Sequence, residues 1–208
     1  MSEFDVTATR TEGDLRARQI FILAAIGLAA QVLTACATSS SPVTFDLTAP
    51  ADVDPTHVTR GQLVVSVPTA LPPFDGDRLI VRTGPQSLAV QKDSQWSDSL
   101  PRLVQARLIQ SFENGHLLRS VGYPGQGISA NVVLNSEIRH FEIEAQTGEA
   151  TVEIAGRLVS ANGQILAARV FSAQAAGSTA DGAASSAALD RAFGQVAQQM
   201  VAWAATKL

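Results

Sequence analysis

The sequence predicts an α+β domain with a mixed or antiparallel sheet, in the order three strands, helix, three strands, helix. Short runs of alternating apolar residues, separated by Pro and Gly, are typical of strands. Two longer stretches repeat apolar residues every three to four positions, as helices do. The 208 residues fit one domain with additional segments. We expect both helices to cover one sheet face.

The first three strands are predicted at 63–67, 78–83 and 87–92. Pro68 ends the first of them, because proline lacks the N–H group that a ladder needs. Turn-forming Gly, Asp and Pro residues separate the others. The spacing predicts a meander, in which consecutive strands pair with each other.

The first helix is predicted between Trp96 and Glu113. Ser97 or Ser99 is available as the N-cap, and the Asn-Gly pair ending at Gly115 marks the end of the helix. The apolar positions that share one face are Leu100, Leu103, Val104, Leu108 and Phe112.

The second half of the chain predicts three antiparallel strands and a helix. The alternation that begins at Val132 changes phase after Ile138, so we expect a bulge near residues 139 and 140. Gly148 and Gly163 mark two hairpin turns. The second helix is rich in alanine, which suits close packing against a sheet, and its apolar face is Leu189, Phe193, Val196, Met200 and either Trp203 or Ala204.

Residues 1–35 have the pattern of a signal peptide. Arg10, Arg16 and Arg18 precede the apolar run 20–30. Its 11 residues are too few for a helix to cross a hydrocarbon core of about 30 Å.

Leu33, Thr34, Ala35 and Cys36 match the lipobox of bacterial lipoproteins. By this resemblance, cleavage between Ala35 and Cys36 leaves Cys36 as the new N-terminus, carrying a diacylglycerol group and an N-acyl chain. No other cofactor is expected. By resemblance to the lipoprotein sorting rule of double-membrane bacteria, Ala37 after the cysteine, rather than Asp, favours the outer membrane. The alternative is a buried free cysteine beside a short membrane helix.

Residues 36–61 are rich in Ser, Thr and Pro, so we predict a flexible tether that spans roughly 25 to 30 Å. An alternative applies to Phe45 and Leu47, whose local alternation fits a short edge strand docked on the domain. The folded domain is predicted at 62–208.

The formal net charge of −4 gives no basis for binding nucleic acid. A single cysteine excludes an internal disulfide and a cysteine metal cluster. His57, His116 and His140 lie in different segments, so no metal site is predicted.

The remaining candidate residues carry little chemistry. A base role for His140 beside Glu142 competes with a solvent-facing strand histidine, which we favour because no nucleophile is placed next to it. The loop 122–127 is interpreted as a turn, and Trp96 either packs at the helix start or faces a partner. Four glutamates form either an acidic strip or, as we favour, a solvated face: Glu142, Glu144, Glu149 and Glu153.

Several of these features together resemble the ABC-type transport auxiliary lipoproteins. They are a strand ending at Pro68, the segment 71–74 (Leu-Pro-Pro-Phe), an arginine-bounded strand from Arg78 to Arg82, and Trp96 before a helix, all downstream of a lipobox. The resemblance implies a lipoprotein of the outer membrane, on its periplasmic face, and no enzymatic activity.

The same resemblance implies the partners. They are a protein with a mammalian-cell-entry (MCE) domain, together with its ABC permease and ATPase, in an envelope lipid transport system. The subunit would dock the periplasmic assembly to the outer membrane, as a homo-oligomeric ring. The alternatives are a stand-alone lipid carrier or a structural outer-membrane lipoprotein.

Overall fold

The computed structural model describes residues 41–51, 61–127 and 130–208, all within one compact unit. The predicted signal peptide, Ala35, Cys36 and His57 lie outside the described residues, and so do parts of the predicted tether. Within the described ranges the chain forms nine strands and two helices. In chain order they are β1 Val43–Phe45, β2 Gln62–Val65, β3 Thr69–Ala70, β4 Arg78–Gly84, β5 Ser87–Trp96, α1 Leu100–Gly115, β6 Ser120–Gly122, β7 Val132–Glu144, β8 Ala150–Ser160, β9 Ile165–Ala175 and α2 Gly182–Ala205.

The mixed α+β class is therefore confirmed, with one large sheet and two helices. The predicted order of elements is not, because three short strands add to it: β1 and β3 before the first helix, and β6 directly after it. Strands of two or three residues carry no periodicity that a sequence pattern can show.

β7 organises the sheet. Along one edge it pairs antiparallel with β8 over nearly its whole length of 13 residues. Along the other edge it pairs in parallel with β2, β3 and β4 in succession, at 132–134, 137–138 and 142–144. The predicted meander is confirmed for β4 and β5, which pair antiparallel, and is wrong for β2. β2 and β4 lie one after the other along β7 and are not hydrogen-bonded neighbours. The proline-containing segment between them continues along β7 instead of turning back.

Beyond β4 the sheet continues to β5 and then β1, and beyond β2 it continues to β6. On the opposite side, β8 pairs antiparallel with β9. Both predicted hairpin turns are present, with positive φ at Gly148 and Gly163. The expected bulge is also confirmed, since the β7–β8 register shifts between Ile138 and His140. The shift keeps Ile138 and Phe141 buried in the core.

The two helices contact each other and share one hydrophobic core with the sheet. α1 ends at Gly115 as predicted, and Ser99 is its N-cap residue, although its side chain makes no capping hydrogen bond. α2 begins after Asp181, whose carboxylate accepts a hydrogen bond of 2.7 Å from the Ala184 N–H. The alanines of α2 allow close approach to the sheet, and four of them are fully buried: Ala188, Ala192, Ala197 and Ala204.

The predicted tether 36–61 needs a correction. β1 adds to the sheet in parallel with β5, and Leu47 is 1% exposed within the core. The edge strand left open for Phe45 and Leu47 is therefore present, and the folded unit begins before residue 62. The prolines in this segment did not exclude packing, because a parallel edge strand of three residues needs few backbone donors.

Candidate functional site

Residues 43–50, which we call the N-terminal arm, are fixed to α1 by an arginine. The Arg107 Nε donates to the Leu47 carbonyl at 2.5 Å, and its Nη2 pairs with the Asp46 carboxylate at 2.5 Å. The Arg107 side chain is 20% exposed. A partly buried guanidinium that binds a carboxylate and a main-chain carbonyl orders the arm more firmly than an exposed ion pair does.

The arm is also fixed to α2. Thr48 donates twice to the Asp190 carboxylate, through its N–H at 2.6 Å and through Oγ1 at 2.7 Å. Farther along, the Asn114 Nδ2 donates to the Pro50 carbonyl at 3.0 Å. The arm is therefore held by both helices as well as by the sheet.

The sheet face that points away from the core, which we call the outer face, contains a buried ion pair. Arg82 on β4 donates to Glu142 on β7 through Nε at 2.8 Å and Nη2 at 2.7 Å. His140 Nδ1 lies 3.0 Å from the same Glu142 Oε1. Glu142 is only 4% exposed, and its Oε2 is buried without a hydrogen-bond partner among the described residues.

The favoured interpretation of Glu142 as a solvated glutamate is therefore wrong. Parallel pairing of β4 with β7 brings Arg82 beside it, and this pairing cannot be read from the local alternation. His140 is half-exposed and serves as a second partner of the carboxylate. Arg82 compensates the buried charge of Glu142, and its loss would leave that charge poorly matched.

Of the other predicted glutamates, Glu149 is exposed, Glu144 is partly exposed and Glu153 pairs with an arginine, so they do not form one acidic strip. Glu153 faces Arg139 at 3.7 Å, while Glu137 lies 3.9 Å from Arg139 and 3.8 Å from Arg157. These pairs are partly exposed, so each contributes little to stability. Beside them, an open groove of about 320 Å³ has walls of arginine and a floor of small side chains, formed by Arg139, Ala155, Arg157, Ala168 and Val170 among others.

A second open groove, of about 460 Å³, lies where the end of α2 meets β9. Arg169 and Lys207 provide two positive charges, and Trp203 contributes an aromatic wall. The Arg169 guanidinium carbon lies 5.2 Å from the centroid of the Phe171 ring, a distance at which cation and ring attract. Among the described residues neither Arg169 nor Lys207 has an ion-pair partner.

The remaining predicted candidates lie in the core, at a helix end and in a turn. Trp96 is 2% exposed and meets Phe141 edge-on at a centroid distance of 5.8 Å, so it packs in the core and does not face a partner. His116 is exposed and ends α1 in the left-handed conformation. The loop after β6 is a turn, with positive φ at Gly125 and Gly127. No group of three or more metal-ligating side chains occurs within the described ranges.

The sequence did not single out Arg107 or Asp190 as important residues. Asp190 meets Thr48 across 142 positions of the chain, so no local pattern connects them. Arg82 was noted only as the end of an arginine-bounded strand. The presence of Arg78 and Arg82 on either side of a buried strand segment was a usable signal, because charged residues are rare in a buried strand unless they have a partner.

The fold places the chain in a known structural class. A Xanthomonas campestris protein of the DUF330 family is similar, with a TM-score of 0.72 at 24% identity, over 79% of this chain and 96% of that one. A crystal structure of an uncharacterized protein gives a TM-score of 0.65 at 13% identity, over 79% of this chain and 99% of that one.

The family follows from the sequence. The profile described as ABC-type transport auxiliary lipoprotein component matches residues 44–201, and the chain belongs to this family. The resemblance seen at 63–112 is thus confirmed over most of the folded unit. The family is one of transport auxiliary components and not a family of enzymes. The match begins inside the N-terminal arm, which agrees with the packing of that segment.

A curated relative is an uncharacterized protein of Bradyrhizobium diazoefficiens, 31% identical over 197 residues. The match covers 93% of this chain and 53% of the relative, so the chain spans about half the length of that protein. Within the described residues, neither helix combines the length and the apolar character needed to cross a bilayer.

Proposed function

We propose that this chain is a lipid-anchored periplasmic auxiliary subunit of an MCE/ABC-type envelope lipid transport system, which docks the transporter's periplasmic assembly to the outer membrane. The observation that carries the proposal is the family match over 44–201 directly downstream of a complete lipobox ending at Cys36. ATP hydrolysis belongs to other subunits, and this chain holds the periplasmic assembly in place at the outer membrane.

The packed arm makes the attachment short. Cys36 and Val43 are seven residues apart, so the chain between acylated Cys36 and the sheet spans at most about 25 Å. Two or more acyl chains on one residue exceed the single chain that gives only marginal membrane binding. The mature subunit is therefore held close to the inner leaflet of the outer membrane, and its long strands supply a rigid docking platform.

The core favours a docking role over a lipid carrier. A carrier needs an enclosed apolar cavity of a few hundred Å³ or more. Here the space between the sheet and α2 is filled by side chains without solvent exposure: Val152, Ile154, Leu189, Phe193, Val196 and Met200. The two grooves described above are open to the surface and lie outside this core.

The anchor is tested by Cys36→Ser, with Ser40→Ala as a matched control outside the lipobox. The wild-type chain and the control should incorporate labelled palmitate and fractionate with the outer membrane. Cys36→Ser should incorporate no label and be absent from that fraction, because it lacks the acylated thiol. Labelling of Cys36→Ser, or its retention in the outer-membrane fraction, would contradict the proposal.

The partners are tested by affinity capture of the tagged chain from gently solubilised envelopes, followed by mass spectrometry. The proposal expects an MCE-domain protein together with its permease and ATPase. Capture of the chain alone with bound lipid would instead support the carrier, and capture of peptidoglycan or an outer-membrane protein complex alone would support a structural lipoprotein.

A further inference from the structure

β9 leaves a long sheet edge open. This 11-residue strand pairs with β8 and with no other strand among the described residues. Edge strands usually carry Pro, Lys or inward-pointing charge, which prevent unplanned pairing. β9 has none of these except one arginine, Arg169. Its row of free N–H and C=O groups is therefore available for strand addition.

The side chains along this edge are apolar and exposed. Ile165 is 64% exposed, Leu166 48% and Val170 45%. Val170 pairs with Ala155 and lies on the outer face, whereas Arg169 pairs with Gly156 and lies on the side of the helices. An added strand would thus meet apolar side chains on the outer face and positive charge on the other.

The positive charge comes from the groove between β9 and the end of α2. Arg169 and Lys207 line it without carboxylate partners among the described residues, next to Trp203 and Thr206. Contact with the Phe171 ring holds the Arg169 guanidinium at the strand. A partner strand in which an acidic side chain alternates with apolar ones would place the acid beside the positive groove and the apolar side chains on the outer face.

We infer that β9 binds, by strand addition, an extended segment of a partner protein that directs an acidic side chain to Arg169 and Lys207 and apolar side chains to Ile165 and Val170. The inference deepens the proposed function, on which it rests only for the identity of the partner, the periplasmic assembly. It names the surface and the chemistry through which that assembly docks.

A second copy of this chain fits the site poorly. The short edge strands β1, β3 and β6 read Val-Thr-Phe, Thr-Ala and Ser-Val-Gly, and none of them contains an acidic residue. The part of β5 that β1 does not cover, residues 87–93, carries Asp93, but its carboxylate already faces the Lys92 ammonium group at 3.8 Å. Pairing of β9 with another β9 would bring two Arg169 side chains together, which like charges oppose. An anionic lipid would match the groove, but it would leave the backbone groups of β9 unpaired.

The experiment uses the full-length chain in its native envelope, with photoreactive benzoylphenylalanine in place of Ile165. The matched control carries it in place of Val90 on β5, which is 51% exposed on the far side of the sheet. Irradiation should cross-link position 165 to an extended segment that contains Asp or Glu, and position 90 should not cross-link to that segment. Arg169→Glu should reduce the cross-link at 165 at least fivefold, whereas Lys92→Glu should leave it unchanged.

The outcomes separate this inference from the proposed function. No cross-link at 165, or one to lipid or to a second copy of this chain, overturns the inference. If transporter subunits are captured but do not cross-link at 165, the proposed function stands and the inference falls. If position 165 cross-links to an acidic extended segment of an unrelated envelope protein, the inference stands and the proposed function falls.

Discussion

The β1 and β9 edges of the sheet differ in almost every respect. The β1 edge is three residues long, and the chain next to it is fixed by Arg107 and Asp190. The β9 edge is 11 residues long, apolar and exposed. Side chains of both helices fix the arm at the β1 edge, which we call the sealed edge, whereas β9 pairs with β8 alone among the described residues and is ready to accept another strand. We propose that the sealed edge serves attachment to the membrane and that the β9 edge serves recognition of a partner protein.

The largest expected effect is on the sealed edge. Leu47→Ala should lower the free energy of unfolding by about 3 kcal/mol, because it removes a fully buried leucine and leaves a cavity. Leu166→Ala on β9 is the matched control and should cost less than about 0.5 kcal/mol. Urea unfolding of the two variants, followed by tryptophan fluorescence, measures both values. Equal losses would contradict the assignment of a sealed edge.

A smaller effect is expected where the arm meets α2. Asp190→Ala removes both hydrogen bonds to Thr48 and should cost about 1 kcal/mol, since the carboxylate is partly exposed. Glu113→Ala, at an exposed carboxylate of α1, is the control and should cost little. Limited proteolysis should then cut the arm faster in Asp190→Ala. Unchanged cleavage would show that the other contacts hold the arm alone.

The smallest effect on stability is expected at the open edge. Val170→Lys should change the free energy of unfolding by less than about 0.5 kcal/mol, because the side chain already faces solvent. Val90→Lys on β5 is the control of similar exposure. A loss as large as that of Leu47→Ala, in the same urea experiment, would show that β9 is buried in the folded chain.

The local features of this structure could be predicted from the sequence. The two amphipathic helices, the hairpin turns at Gly148 and Gly163 and the bulge after Ile138 depend on neighbours within a few residues. The side-chain contacts of the candidate site could not be predicted in the same way. The Arg82–Glu142 pair and the contact of Thr48 with Asp190 join residues 60 and 142 positions apart. The packing of β1 was readable only as an alternative, because three residues of alternation are too few to decide between a strand and a linker.

The docked arm also has a mechanical consequence. Residues 43–50 lie against the domain, so the chain from Cys36 to the start of β2 at Gln62, 26 residues in all, is shortened by its own packing. Fully drawn out, those residues would span about 90 Å. Detachment of the arm would therefore release additional chain length between Cys36 and β2. Tension on the proposed lipid anchor would first separate the three-residue strand β1 from β5, and it would lengthen the connection to the domain severalfold before it acted on the rest of the sheet.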